Sequence, residues 1–421
     1  MFRSLLAGTT TFIFIFGWKI NSVADLILIV SLLLIFLGFW RGTLLTHRLI
    51  NQTIAVLGLL CIYTLAICLI NGIFDTQIAL RSLRALLNLL GGICLVNLYH
   101  AWNPQAYAER LYRDIYLSLV THAALMIGMY LNHNLREAVY EITDAAAYVN
   151  LSSPFLEGYR IAGLTYGLSQ TSVLQMLGLL LAPLVIRNAA GNVARLIYLA
   201  GVPLLLISIM ICGRSGLLLA LLLSPVVLAA LFKSAVVGSP TRSLINFAGI
   251  AAAITVSTGL LLTMISFFPG QFSYSLHQAG EIFLALEFRG PTVENFAEMV
   301  FLPDSWPEFV FGSSNLGRGN LEYIPSDIGW VKTIFATGLT GTVLMLVPFI
   351  IGMRAALLAA RTDLYMGVAG FCVFLSALLL NTKELALLTR NQWSVQVLIL
   401  ALLCFKIAEP ANKTVEAAHA G

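Results

Sequence analysis

The segment Leu204–Leu223, LLLISIMICGRSGLLLALLL, decides how the whole chain is read. Two apolar runs meet across Cys212-Gly213-Arg214-Ser215-Gly216, a break too short to be a loop in water. Runs of this kind are built to cross roughly 30 Å of hydrocarbon, so Arg214 must sit at or just within a membrane interface. Leaving it there unpaired would cost roughly 2.5 to 3.5 kcal/mol even on a lenient insertion scale. Either it snorkels to headgroups or it meets an anion.

Outward from that break the pattern repeats along the chain. Hydrophobic residues make up 59% of 421 and charged residues only 10%, with mean hydropathy +0.89. That composition belongs to polytopic membrane proteins and not to soluble domains. The fold class is all-α, one integral membrane domain over 1–421, with about twelve transmembrane helices expected from run length. They centre near Phe12, Leu32, Leu60, Leu90, Leu119, Leu179, Leu204, Leu221, Thr255, Val343, Phe374 and Ile399.

Charge gives the orientation. With the N-terminus inside, the inward connections each hold a pair of cations: Arg41 and Arg48, Arg110 and Arg113, Arg187 and Arg195, Lys233 and Arg242, Arg354 and Arg361, Lys406 and Lys413. The outward segments hold most acids, among them Glu137, Glu141, Glu294, Glu298, Asp304, Glu322, Asp327 and Glu384. Both termini are then cytoplasmic under the positive-inside rule. The first apolar run lacks a small-residue cleavage site before the next run begins near Ala24, so it reads as a retained helix and not a signal peptide.

Several chemistries lose support. Six cysteines lie in or beside apolar runs without C-x-x-C spacing, which argues against a disulfide framework or zinc. No Gly-Lys dipeptide, H-E-x-x-H or D-x-D occurs, so no metal site and no nucleotide cofactor is expected. The net charge of +4 comes from orientation signals and gives no nucleic-acid patch.

Two outward segments exceed simple turns. The first, 132–160, carries Leu135, Val139, Ile142, Ala146 and Val149 as a stripe with Glu137, Glu141 and Asp144 off it, which predicts an amphipathic surface helix. The second, 269–327, lies between the ninth and tenth expected helices and reads as partly helical. It has helices at about 274–288 and from Pro291, then an extended piece from Glu308 to Gly312 and a loop through Gly317 and Gly319. Trp306 and Trp330 are interfacial anchors. A structured loop of this size on one face usually carries function.

The outer arginines stand out because a positive-inside protein should be poor in cations there. Besides Arg214 they are Arg160, which opens a helix at Arg160-Ile161-Ala162-Gly163-Leu164, Arg289 before Gly290-Pro291, and Arg318. Gly163 would permit a close approach by a partner helix or ligand. Arg81 and Arg84 share one face at the outer start of the fourth helix, where they read equally as interfacial anchors; Lys332 and Lys383 are further cations on this side. Together the arginines suit a pyrophosphate, since guanidinium forks bind phosphate oxygens bidentately and keep their charge.

These stretches resemble a family. Cys212-Gly213-Arg214-Ser215-Gly216-Leu217-Leu218-Leu219, Arg160 to Gly163, Phe309 to Gly312, Ser326-Asp327-Ile328-Gly329 and Gly338-Leu339-Thr340-Gly341 look like the Wzy-type polymerases of O-antigen and exopolysaccharide, which belong with the O-antigen ligases. The motifs are short, and their order and membrane side carry the likeness. Arg318 and Gly329 satisfy the R-x10-G spacing described for some polymerases, whereas Arg160 has Thr171 where that pattern wants Gly. Ligases typically carry a histidine near the end of the long loop; here Ser326-Asp327 stands there, and the loop's one histidine, His277, lies far upstream.

The resemblance implies a GT-C-like, metal-independent glycosyltransferase of the bacterial inner membrane. Its substrate would be an oligosaccharide repeat unit on undecaprenyl pyrophosphate at the periplasmic face, with a chain-length regulator and a flippase as partners besides the lipid bilayer. Arg160, Arg214, Arg289, Arg318, Arg81 and Arg84 would hold the pyrophosphate, with Arg214 stabilising its charge as it leaves. Asp327 is the first candidate for the base that takes the acceptor hydroxyl's proton. It reads equally as an N-cap or dipole partner of the helix that follows, with Glu322 and Glu384 in reserve. Two alternatives stand beside this reading: a ligase that transfers chains to lipid A core, for which His277 would matter, and a secondary transporter.

Overall fold

A computed structural model describes residues 2–20, 24–41, 47–72, 77–143, 160–165, 167–236, 298–316 and 324–419. Among them the chain is almost wholly helical, apart from a two-residue antiparallel bridge in which β1 (Lys19–Ile20) pairs with β2 (Ala24–Asp25). The helices are α1 (Phe2–Phe16), α2 (Leu26–Arg41), α3 (Arg48–Ile70), α4 (Gln77–Trp102), α5 (Tyr107–Leu131), α6 (His133–Thr143), α7 (Leu168–Arg187), α8 (Asn192–Cys212), α9 (Arg214–Val236), α10 (Trp306–Phe311), α11 (Gly329–Ala359), α12 (Leu364–Leu380) and α13 (Arg390–His419).

Eight of the described helices are long and apolar enough to cross a membrane, and α1, α2 and α12 are shorter apolar helices. The protein is therefore a polytopic, all-helical membrane protein. Every expected centre falls within one of these helices except that near Thr255, which lies outside the described residues. Pro183, Pro203, Pro225 and Pro348 lie inside α7, α8, α9 and α11. Membrane helices tolerate proline because neighbouring groups re-satisfy the freed carbonyls.

The chain divides into two compact units: Met1–Val30 with Leu98–Phe288, and Ser31–Asn97 with Arg289–Gly421. In the first, α7 is the central helix, packed by α5, α8 and α9. Leu174, Leu177, Leu180 and Leu181 on it are all buried. In the second, α11 is central, packed by α3, α12 and α13. Small residues let backbones meet there, as membrane interfaces favour: a Cβ on Gly91 of α4 would come within 2.8 Å of the Ser31 backbone on α2. Trp393, 1% exposed, donates from Nε1 to Ala85 O at 2.9 Å and so fixes the start of α13 against α4.

Three local expectations change. The helix expected to open at Arg160 begins at Leu168 instead, and Arg160–Thr165 is irregular because Gly163 adopts φ +65°. The piece from Glu308 to Gly312 is not extended: residues 306–311 form α10, with the Ser305 hydroxyl capping Glu308 N–H at 3.2 Å and Pro307 in the first turn. The amphipathic helix in 132–160 exists as α6, but its packed face is Val139, Tyr140 and Thr143, while Leu135 and Ile142 are exposed. In a bilayer protein an outward apolar residue meets lipid, so the apolar stripe does not mark the face turned to the protein. The remainder of 132–160, and the helices expected near 274–288 and Pro291, lie outside the described residues.

Candidate functional site

The sequence break between α8 and α9 becomes a single residue, Gly213, with φ 169° and ψ 155°. In an unbroken helix the carbonyl of Cys212 would accept from the N–H of Gly216. The break separates that pair, and each half finds a side chain. Arg160 Nε donates to Cys212 O at 3.0 Å, and Gly216 N–H donates to Ser172 Oγ at 2.8 Å. Arg160 and the Cys212–Gly216 motif, 52 residues apart in the chain, therefore meet at one site.

Space excludes a side chain at Gly216, and one at Gly213 would press on the tip of Arg160. A Cβ on Gly213 would lie 2.7 Å from Arg160 Nη2, and one on Gly216 would collide with the Ser172 backbone. Arg160 spends only Nε on the protein, and among the described residues its two terminal nitrogens make no hydrogen bond. Among the described residues its terminal N–H donors are uncommitted, beside the N-terminal turn of a 23-residue helix whose amide groups also favour an anion. Arg214 is the first residue of that helix, so its backbone stands at this turn.

The loop that carries Arg160 is held by polar groups buried in the unit's interior. Leu164 N–H donates to His122 Nε2 at 2.9 Å, and the Gln175 side-chain amide lies 2.6 Å from Nδ1 of the same ring. The same ring stacks on Phe16 at 4.1 Å between centroids. A side chain at Gly163 would collide with His122, so the close approach expected of this glycine is to a histidine. Ala162 N–H donates to the Tyr140 hydroxyl at 3.3 Å, and Thr165 Oγ1 is bonded to Thr171. Burial raises the pKa of the Tyr140 phenol, which keeps it a neutral partner. Met126, Met129, Ile161, Ile207 and Ile211 pack around the loop.

In the second unit Arg81 donates from Nη2 to Leu387 O at 2.7 Å, and so braces the turn after α12. Asn381 holds the same turn, its Oδ1 accepting from Ala386 N–H at 2.8 Å. Arg84 is half-buried on the same helix face, and Glu384 is half-buried in the turn. Asp327 is exposed and lies 3.7 Å from Lys332. It does not cap α11: the N-cap is Ile328, without a side-chain cap bond, and the Ser326 hydroxyl takes Ile328 N–H at 3.1 Å. The N-cap reading of Asp327 falls; its readings as a dipole partner of α11 and as the base are untouched.

Arg289, Arg318, His277 and Glu322 lie outside the described residues. Sequence reading did not find the supports of Arg160, namely Gln175, Tyr140 and Ser172. A polar residue inside an apolar run was the available signal, and it applies to His122 and Gln175 alike. Among known proteins, no family model matches this chain and no curated relative matches it.

Proposed function

We propose that the protein is a polysaccharide polymerase of the Wzy type: a membrane-embedded glycosyltransferase that joins oligosaccharide repeat units carried on undecaprenyl pyrophosphate. The observation that carries this reading is Arg160 at the α8–α9 break, bonded to Cys212 O through Nε with its terminal nitrogens uncommitted among the described residues. A guanidinium anchored on one edge is pre-oriented for bidentate contact with phosphate oxygens on the other. On this reading Arg160 and Arg214 contact the pyrophosphate. About twelve spans in a GT-C-like arrangement place both termini in the cytoplasm and the site at the periplasmic face of the inner membrane.

The reaction transfers the growing chain. A hydroxyl of the incoming unit attacks C1 of the chain's terminal sugar, the C1–O bond to pyrophosphate breaks, and undecaprenyl pyrophosphate leaves with the electron pair. Asp327 accepts the hydroxyl proton. The arginines stabilise the charge that develops on the departing pyrophosphate, without a divalent ion.

The test is a product ladder. Repeat units extracted from cells lacking the protein are incubated with purified protein and EDTA, and products are separated by size. A ladder is expected. Intact substrate with folded protein and no ladder overturns the reading.

A further inference from the structure

The first unit carries a second polar site. Residues of α1, α5 and the start of α8 bound a cleft of about 700 Å³. Its lining runs as far as Phe12 and Thr121, next to the Phe16–His122 pair that supports the Arg160 loop, but its charged residue, Arg113, lies nine residues before His122 on α5, about two and a half helical turns away. It is a different site from the one proposed for pyrophosphate, and it stands whether or not the polymerase reading does.

The cleft has a charged floor and apolar walls. Arg113 lines it and donates from Nε to Asp114 Oδ1 at 3.0 Å. The other oxygen of Asp114, which is 6% exposed, accepts from the Tyr99 hydroxyl at 2.7 Å. Since that phenol's one proton is committed, Thr11 must donate to its oxygen across their 2.8 Å contact. The chain Thr11–Tyr99–Asp114 thus fixes a buried carboxylate, and the carboxylate fixes the guanidinium by one edge only. Among the described residues the terminal nitrogens of Arg113 make no hydrogen bond.

Three more cations lie within a turn of lining residues: Arg3 beside Ser4, Arg110 before Arg113, and Arg195 beside Ala194. Against them stand only Glu109 and Asp114 on these helix ends. The walls include Leu5, Phe12, Leu117 and Ile197, of which Leu5 and Ile197 are well exposed. A largely apolar cleft in a membrane helix bundle, with Arg113 in its lining and a surplus of arginine within a turn of it, matches a molecule that has a hydrocarbon tail and an anionic head.

We infer that this cleft binds one anionic phospholipid, its phosphate on Arg113 and an acyl chain along α1 and α5. Asp114 is the positioning residue that holds the guanidinium. In the orientation proposed above, the start of α5 faces the cytoplasmic leaflet, whose surface is negative.

Native mass spectrometry of the full chain in detergent tests this, with phosphatidylglycerol and phosphatidylcholine of identical acyl chains as probes. Wild-type protein is expected to hold phosphatidylglycerol at least about tenfold more tightly, the scale of a charge-assisted bond. The double variant Arg113→Ala/Asp114→Asn, which leaves no orphaned carboxylate, loses that preference. Leu117→Trp keeps every charge but sets an indole one helical turn from Arg113, in the path proposed for the acyl chain, and it loses the preference too. Circular dichroism and elution volume check that both variants fold. Equal affinity for the two lipids in wild-type protein overturns the inference. So does a preference retained by the folded double variant, or one retained by Leu117→Trp, which would mark mere adhesion to surface cations.

Discussion

Two helices break inside apolar runs, and they repair the break differently. Between α8 and α9 the orphaned carbonyl of Cys212 is met by a cation, Arg160, through one of its five donors. In α11 the break falls at Gly338, with φ 62° and ψ −176°, and it is mended by neutral groups. Ser313 N–H donates to Phe335 O at 2.8 Å, Ser314 N–H to Ala336 O at 3.0 Å, and the Tyr63 hydroxyl reaches Thr337 O at 3.0 Å. Gly312, itself at φ +82°, packs its bare Cα against Thr337 and Gly338. The neutral repair consumes the donors it brings and satisfies the backbone. The cationic repair satisfies one carbonyl and leaves charge and donors over. On the proposed function the first break is a ligand site and the second a structural joint.

The largest effect expected from that distinction is on turnover. Arg160→Ala should slow ladder formation by about 10²- to 10³-fold, the loss seen when one preorganised charge-stabilising donor is removed. Stability should fall by about 1 to 3 kcal/mol, the cost of leaving the Cys212 carbonyl without its charged donor. Thermal unfolding in detergent beside the ladder assay separates the two. A variant that unfolds many degrees lower and keeps wild-type turnover when folded would make Arg160 a brace, and the contrast between the breaks would vanish.

Gly338→Ala should show the reverse pattern. Its left-handed φ costs a side chain roughly 1 to 3 kcal/mol, and the added Cβ would also press on Val310 O and Gly312 N. The midpoint of unfolding should drop clearly, while turnover per folded molecule stays near wild type. If the folded fraction lost turnover as fully as Arg160→Ala does, the α11 break would belong to the reacting site.

The two breaks were unequally legible in the sequence. Cys212-Gly213-Arg214-Ser215-Gly216 interrupts its run with a charge, and charge inside hydrocarbon is costly enough to be seen in one chain. Gly338 interrupts Gly338-Leu339-Thr340-Gly341 with nothing polar enough to notice, and its repair comes from Ser313 and Ser314, more than twenty residues upstream. The helix positions were legible for the simple reason that hydrocarbon demands long apolar runs. Facing was not. Leu135 and Ile142 of the apolar stripe are exposed, because apolar outward surface costs nothing in lipid, and the inward residue of α6 is Tyr140, whose hydroxyl meets Ala162 N–H. Arg160 stood out in the sequence as a cation in an expected outward segment. Its partner Cys212 O did not, since a backbone carbonyl carries no sequence signal.

The smallest effect tests whether the α11 joint is held by the loop backbone or by the side chain beside it. Tyr63 has one hydroxyl proton to share between Phe311 O at 2.8 Å and Thr337 O at 3.0 Å, whereas Ser313 and Ser314 each bring a separate amide. Tyr63→Phe removes that proton and little volume, so it should cost about 0.5 to 1.5 kcal/mol, the usual net value of one hydrogen bond. Combined with Gly338→Ala the losses should be less than additive, because both substitutions loosen the same joint. A Tyr63→Phe loss as large as that of Gly338→Ala would shift the repair from backbone to side chain. The second break would then resemble the first in relying on one residue, and charge alone would be left to distinguish a joint from a site.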